Sequence, residues 1–221
     1  MHWIRPHVSL APVPGRFAGV RLVDPADAGR EAVERFIADV YLHRYGARLR
    51  SFLPHLLAYE DSAGRLVAAV GLRSGGEGDL FVEQYLDAPI ESAMPQRGIT
   101  RTVDRRAVVE VGNFAATTPG IARELIVQLA HLLHEARMDW VLFVATQQLR
   151  NAFQRLHLST VELAEARADH LRELCSDWGD YYASRPRLMC GNVAEGMALL
   201  RDAAAQPAPC AAPVLCLAGA P

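Results

Sequence analysis

All 23 basic residues of this 221-residue chain are arginines; lysine is absent. That excludes Schiff-base chemistry, lysine-bound pyridoxal phosphate, a Walker A lysine and a Ser-Lys dyad. A basic excess is missing too: the net charge is −2, so binding to a nucleic-acid backbone by bulk electrostatics is not expected. No apolar run approaches the roughly 20 residues of a membrane span. The first 15 residues carry no apolar h-region, which reads as no signal peptide and a cytoplasmic protein. The four cysteines, Cys175, Cys190, Cys210 and Cys216, form no C-x-x-C pair, so neither a zinc knuckle nor a thioredoxin motif is present, and reduced thiols are expected.

Further motifs are missing. There is no G-x-S-x-G for a serine hydrolase. His131 and His134 stand at i, i+3 but lack a zincin order and a third ligand, so no metal is expected. Ser74-Gly75-Gly76-Glu77-Gly78 lacks the dinucleotide fingerprint and its strand–helix context.

What is present is ordinary globular composition, 51% hydrophobic and 22% charged, in a length that can bury one sizeable core. Residues 1–16 are Pro-rich and read as irregular. Residues 17–203 read as one domain, and residues 204–221 as an Ala/Pro-rich mobile tail. Short strands are expected at 20–23, 55–60, 66–72 and 80–86, with a hairpin turn at Asp61-Ser62-Ala63-Gly64-Arg65. A helix over 29–45 carries Val33, Phe36, Ile37, Val40 and Tyr41 on one face, with Gly46 as its C-cap. The clearest pattern is strand 107–111, helix from Thr118 to about Arg137, strand 140–145, helix 147–156. That order is a βαβ unit with a packing helix. Weaker signals suggest strands at 160–163 and 186–190 and helices at 167–174 and 194–203.

Two places carry chemistry. Thr118-Pro119-Gly120 starts a helix well, yet Ile121 occupies the capping-box position, so no carboxylate returns to the first turn. The amides of Gly120, Ile121 and Ala122 are then expected to be free, with Arg123 beside them, and a phosphate would satisfy them together. An ordinary capped helix with a solvent-facing Arg is the plainer reading. The second place is Glu110, inside Val108-Val109-Glu110-Val111. A buried carboxylate must be paired, hydrogen-bonded or neutral, so Glu110 is either a structural ion pair or a general base of raised pKa. Glu83, in Phe81-Val82-Glu83-Gln84-Tyr85, poses the same question.

Val109-Glu110-Val111-Gly112-Asn113-Phe114-Ala115-Ala116, followed by Pro119-Gly120-x-Ala122-Arg123, resembles the core of the thermostable haemolysin family. Phe81-Val82-Glu83-Gln84-Tyr85-Leu86-Asp87, Arg44-Tyr45-Gly46-Ala47, Leu149-Arg150-Asn151-Ala152-Phe153 and Trp178-Gly179-x-Tyr181-Tyr182 extend the resemblance over residues 30–192. That family is similar in pattern to GNAT acyltransferases and acyl-homoserine lactone synthases. The resemblance implies an α/β (α+β) fold with a GNAT-like mixed sheet flanked by helices. It also implies that the strands holding Glu110 and residues 140–145 part to admit a pantetheine arm.

The expected activity is N-acyl transfer. The donor is an acyl thioester of coenzyme A or of an acyl carrier protein, and the acceptor is a small-molecule amine. Glu110 or Glu83 is then the base, and strand amides near Asn113, Phe114 and Ala115 hold the thioester carbonyl. The resemblance implies that Thr118, Gly120, Ile121, Ala122 and Arg123 meet the donor phosphates and that Asn151 faces pantetheine. The departures are specific. The loop Thr117-Thr118-Pro119-Gly120-Ile121-Ala122 lacks the leading Gln or Arg of the GNAT phosphate loop. Glu110-Val111-Gly112-Asn113 stands where the autoinducer synthases carry E-x-S-R. The helix over 147–156 has no tyrosine for the leaving thiolate, which leaves Tyr85, Tyr181, Tyr182 or solvent. Two other functions remain open: membrane lysis, as the family name says, and a non-catalytic module that binds an acyl carrier or another partner.

Overall fold

The computed structural model describes residues 12, 14–171 and 175–205. Most of the expected irregular N-terminal segment, the 204–221 tail apart from its first two residues, and part of the 167–174 helix lie outside them.

Among the described residues seven strands form one mixed sheet, β1 (Gly19–Val23), β2 (His55–Glu60), β3 (Leu66–Ser74), β4 (Val108–Ala116), β5 (Trp140–Ala145), β6 (Val161–Glu165) and β7 (Arg187–Asn192), in the order β1-β2-β3-β4-β5-β7-β6. Only β4 and β5 run parallel; every other pairing is antiparallel. The five helices are α1 (Arg30–Tyr45), α2 (Ile90–Gln96), α3 (Pro119–Glu135), α4 (Gln147–Arg155) and α5 (Val193–Ala205).

Local chemistry explains most boundaries. The Asp61 carboxylate accepts from the Ala63 and Arg65 amides at 2.9 and 3.0 Å, and Gly64 takes a left-handed φ of 71°, closing the β2–β3 hairpin. Gly46 ends α1 at φ 66° and returns its amide to the Leu42 carbonyl. α3 begins on the Thr118 cap with Pro119 in its first turn, and buries Leu125, Ile126, Leu129, Leu132 and Leu133. The four leucines meet Val109, Val111 and Phe143 on one sheet face, where α4 also lands, stacking Phe153 on Phe143 at 4.6 Å between centroids. α1 and the turns around residues 80–86 and 175–184 cover the opposite face.

Four expectations need correction. Residues 80–86 are not a strand but a 3₁₀ turn, Phe81–Tyr85. The Glu83 carboxylate accepts from the Leu80 and Ile90 amides at 3.0 and 3.2 Å, which diverts those backbone groups from any ladder. β3 is already paired on both sides, by β2 and β4, so the sheet has no place for another strand there. In the 167–174 stretch the described helical turn is a single 3₁₀ element, Ala168–His170. β4 runs on to Ala116, well past the expected end at 111. α2, with Pro95 inside it, has no counterpart among the expected elements; it buries Ile90 and Met94.

Gly179 is where the aromatic wall meets α1. Its φ is 49°, and a Cβ there would stand 2.1 Å from the Tyr45 carbonyl oxygen, which accepts the Asp180 amide at 2.7 Å. Gly179→Ala is therefore expected to cost about 2–4 kcal/mol, read as a shift in urea midpoint at constant m, because backbone cannot retreat as a side chain would. A cost under about 1 kcal/mol would show that this junction adjusts freely.

Candidate active site

β4 and β5 pair only from Val108↔Trp140 to Val111↔Phe143. Beyond Val111, β4 keeps its partner β3 but leaves β5. The departure has a local cause. Asn113 adopts φ 49°, and the β3–β4 register shifts so that Ala69↔Ala115 is followed by Gly71↔Gly112. That is a bulge, which bends the strand that carries it. The Asn113 Oδ1 accepts the Leu53 amide at 2.8 Å and holds the bulge to the segment before β2. Space is tight here: a Cβ on Gly71 would meet the bonded Asn113 Oδ1 at 2.7 Å and the Leu53 Cβ at 2.9 Å, and one on Gly112 would push the Leu53 side-chain tip, 2.9 Å away.

The gap opens a cavity of about 220 Å³ that reaches both sheet faces. On the α3 face its wall is apolar: Ile126, Leu129, Ala130 and Leu133 of α3, Phe143 of β5, Leu149 and Phe153 of α4, and Gly196 of α5. On the opposite face the wall is aromatic and polar: Phe81, Tyr85, Trp178, Tyr182, Arg73 and Glu110.

Glu110 stands where the two parts meet and is 2% exposed. Its Oε2 accepts the Phe81 amide at 2.8 Å, with the Val82 amide also directed at the carboxylate. Burial outweighs these bonds and the nearby Arg73 charge, and pushes the carboxyl up to about 7. Glu110 closes no ion pair among the described residues, so the structural-pair reading does not describe it. Tyr85 and Tyr182 share a hydroxyl–hydroxyl bond of 2.6 Å on the same wall. Tyr181 packs against Tyr45, Trp178 and Tyr182, and burial raises its phenol well above the ordinary value.

Glu83 is placed differently. It is gripped by Arg105 at 2.6 and 2.8 Å and lines a second, outer cavity with Arg105, Asp87 and Pro89. Burial pushes its carboxyl up, but the Arg105 guanidinium and the Leu80 and Ile90 amides outweigh that and hold it below the usual range. A carboxylate held so firmly ionised is a weak proton acceptor.

The start of α3 also departs from expectation. The amides of Ile121 and Ala122 are not free: Thr118 Oγ1 accepts from Ile121 at 3.4 Å, and the Thr118 carbonyl accepts from Ala122 at 3.0 Å, as the helix ladder requires. That leaves the Gly120 amide, with Arg123 one turn further along α3 and a second arginine close by. This second one is Arg16, whose Nη1 lies 3.0 Å from where a Gly120 Cβ would be. Arg16 had no signal in the sequence, because only the fold brings residue 16 to residue 120. Thr118, Gly120, Ile121, Ala122 and Arg123 lie outside the cavity wall, which α3 joins at Ile126. Asn113 and Phe114 do line it; Ala115 is buried beneath α1 instead. Asn151 accepts from the Gln147 side chain at 2.9 Å and is not part of the wall; Leu149 and Phe153 of the same helix are.

The thermostable hemolysin profile matches residues 23–197. The chain belongs to the thermostable hemolysin family. No curated protein matches it by sequence. Its fold is similar to that of the acyl-homoserine lactone synthase LasI, with a TM-score of 0.56 at 12% identity, covering 85% of this chain and 96% of LasI. It is also similar to FeeM, an N-acyl amino acid synthase from uncultured soil microbes (TM-score 0.55, 14% identity, 85% and 97% covered). BjaI, a CoA-dependent acyl-homoserine lactone synthase solved with SAM and isopentyl-CoA, aligns at 0.51 and 10% identity over 88% of this chain and 92% of its own. This hemolysin-family chain therefore has a GNAT-like fold, a mixed sheet flanked by helices. Among its described residues no helix is long and apolar enough to cross a membrane, and no group of three potential ligands could hold a metal.

Proposed function

We propose that this protein is an N-acyltransferase that moves an acyl chain from a thioester of coenzyme A or an acyl carrier protein to a small-molecule amine. The observation that carries this reading is one carboxyl, Glu110, held near neutrality where two parallel strands part around a cavity. A base of that pKa can accept a proton at pH 7 and return it. Pantetheine would lie between β4 and β5, with its phosphates at Gly120, Arg16 and Arg123. The thioester oxygen would take β4 backbone amides near residues 113–115, which have no β5 partner; the Phe114 amide, directed at the Tyr41 hydroxyl, would have to exchange that bond. As the amine nitrogen bonds the carbonyl carbon, its proton passes to Glu110, directly or through water. The C–S bond then breaks, the Tyr85–Tyr182 pair supplies a proton to the thiolate, and the proton held by Glu110 is returned to the pair through water. LasI, BjaI and FeeM, all acyl synthases by name, support acyl transfer in general; the residue roles rest on this chain's geometry.

The apolar wall below Glu110 suits an acyl chain much longer than acetyl. Product mass spectrometry with decanoyl and butanoyl thioesters and a mixture of amines should show a decanoyl amide favoured. Ala130→Phe should fill the arm and lower kcat/KM for the decanoyl donor at least tenfold while sparing the butanoyl donor. An equal loss on both donors would place the acyl chain elsewhere.

A further inference from the structure

Among the described residues Arg73 is the one cation on the cavity wall, and it faces the reacting end. It pairs directly across the β3–β4 ladder with Glu110, so both side chains rise from the same sheet face, with backbones about 5 Å apart. Most other half-buried arginines are held by carboxylates: Arg21 by Asp27 and Glu60, Arg30 by Glu34, Arg105 by Glu83 and Glu91, Arg187 by Glu162 and Glu165; Arg150 donates to the Ala145 carbonyl and the Gln147 side chain and lies away from the cavity wall. Arg73 makes no ion pair among the described residues; its Nη1 donates to the Asp79 carbonyl at 3.0 Å. It also lines the outer cavity, with Ser51, Phe81 and Trp178 common to both, so it stands in the passage that leads from outside to Glu110. A guanidinium with free donors suits a carboxylate in two-point contact.

Resting on the acyl-transfer reading, we infer that the acceptor is an α-amino acid, with its carboxylate on Arg73 and its amine at Glu110. One tetrahedral carbon separates those two groups, which suits side chains on directly paired residues. Phe81, Trp178 and Tyr182 then surround the acceptor's own side chain. The amino acid arrives as the ammonium form and releases one proton to solvent through Glu110. The neutral nitrogen attacks the thioester carbonyl carbon, the C–S bond breaks, and the second nitrogen proton ends on the departing thiol. The products are an N-acyl amino acid and free thiol, with no redox change and no further reactant.

The test compares phenylalanine with phenethylamine, its decarboxylated counterpart, using decanoyl-CoA and product mass spectrometry. Phenylalanine is expected to be favoured at least thirtyfold in kcat/KM. In Arg73→Leu that ratio should fall at least tenfold, with decanoyl-CoA affinity unchanged by calorimetry; Arg73→Lys should keep part of it. The ratio is the readout, because removing the Arg73 charge also alters Glu110 and so affects both acceptors. Equal use of the two amines, or a ratio unchanged in Arg73→Leu, overturns the amino-acid assignment while leaving acyl transfer standing. Thioester binding without transfer to any amine overturns both.

Discussion

Glu110→Gln is expected to lower single-turnover acyl transfer by about a hundredfold or more, the usual size of a general-base contribution, while the protein stays folded and binds its thioester. The amide can still accept the Phe81 and Val82 amides, but it cannot take a proton. In the wild type the rate should rise with pH on a limb centred near 7, the value to which burial pushes the Glu110 carboxyl, and that limb should vanish in the variant. Stability gives an independent reading. The folded carboxyl holds its proton more tightly than the ordinary value of 4.5, so its contribution is fully present below that pH and lost as pH rises through about 7. Above pH 7 the ionised group costs about 3 kcal/mol, to order of magnitude. Glu110→Gln should therefore melt no earlier than wild type at pH 8. A variant that melts much earlier but acylates at the wild-type rate while folded would remove Glu110 as the base. Glu83→Gln should do the reverse, lowering stability because Arg105 loses its closest carboxylate and keeps only the longer contact to Glu91, with little effect on the chemical step.

Gly120→Glu is expected to weaken acyl-CoA binding well over tenfold, more than 1.4 kcal/mol, with circular dichroism unchanged. Three changes act together. The new carboxylate repels the donor phosphates, its stem crowds the approach to the Gly120 amide, and it pairs with the adjacent Arg16, withdrawing a cation from the site. The fold should tolerate it, since the position is exposed and an acid suits the first turn of a helix. Arg16→Ala should give a smaller loss in the same direction. Calorimetry showing wild-type affinity for Gly120→Glu would place the phosphates away from α3.

The reading of residues 80–86 as a strand shows how local pattern can mislead. Leu80, Val82 and Tyr85 are buried, so the segment is apolar on one side, as a strand would be. What decided its form was Glu83 capping two amides and Arg105 holding Glu83, an interaction across 22 residues. The same capping logic applied to Thr118 succeeded, because that cap closes within three residues. Glu110 was visible because a charge inside a four-residue apolar run is anomalous wherever it occurs. Arg73 was not: an arginine at the end of an apolar strand is ordinary until its partner across the ladder is known.

The sequence by itself determined the β2–β3 hairpin, the β4–α3–β5 unit, the cap of α3 and the burial of Glu110. Each is written in neighbours a few residues apart, through turn chemistry, helical spacing or a charge among apolar residues. Only the tertiary structure decided that the parting of β4 from β5, which the resemblance implied, begins after Val111 at the Asn113 bulge, that Glu83 is spent on Arg105 while Glu110 is left at the cavity, and that Arg16 reaches Gly120. Those outcomes depend on which distant side chains and amides arrive at the same place. A carboxylate becomes a structural anchor when a guanidinium meets it and a poised base when burial denies it one, and that difference is created by packing.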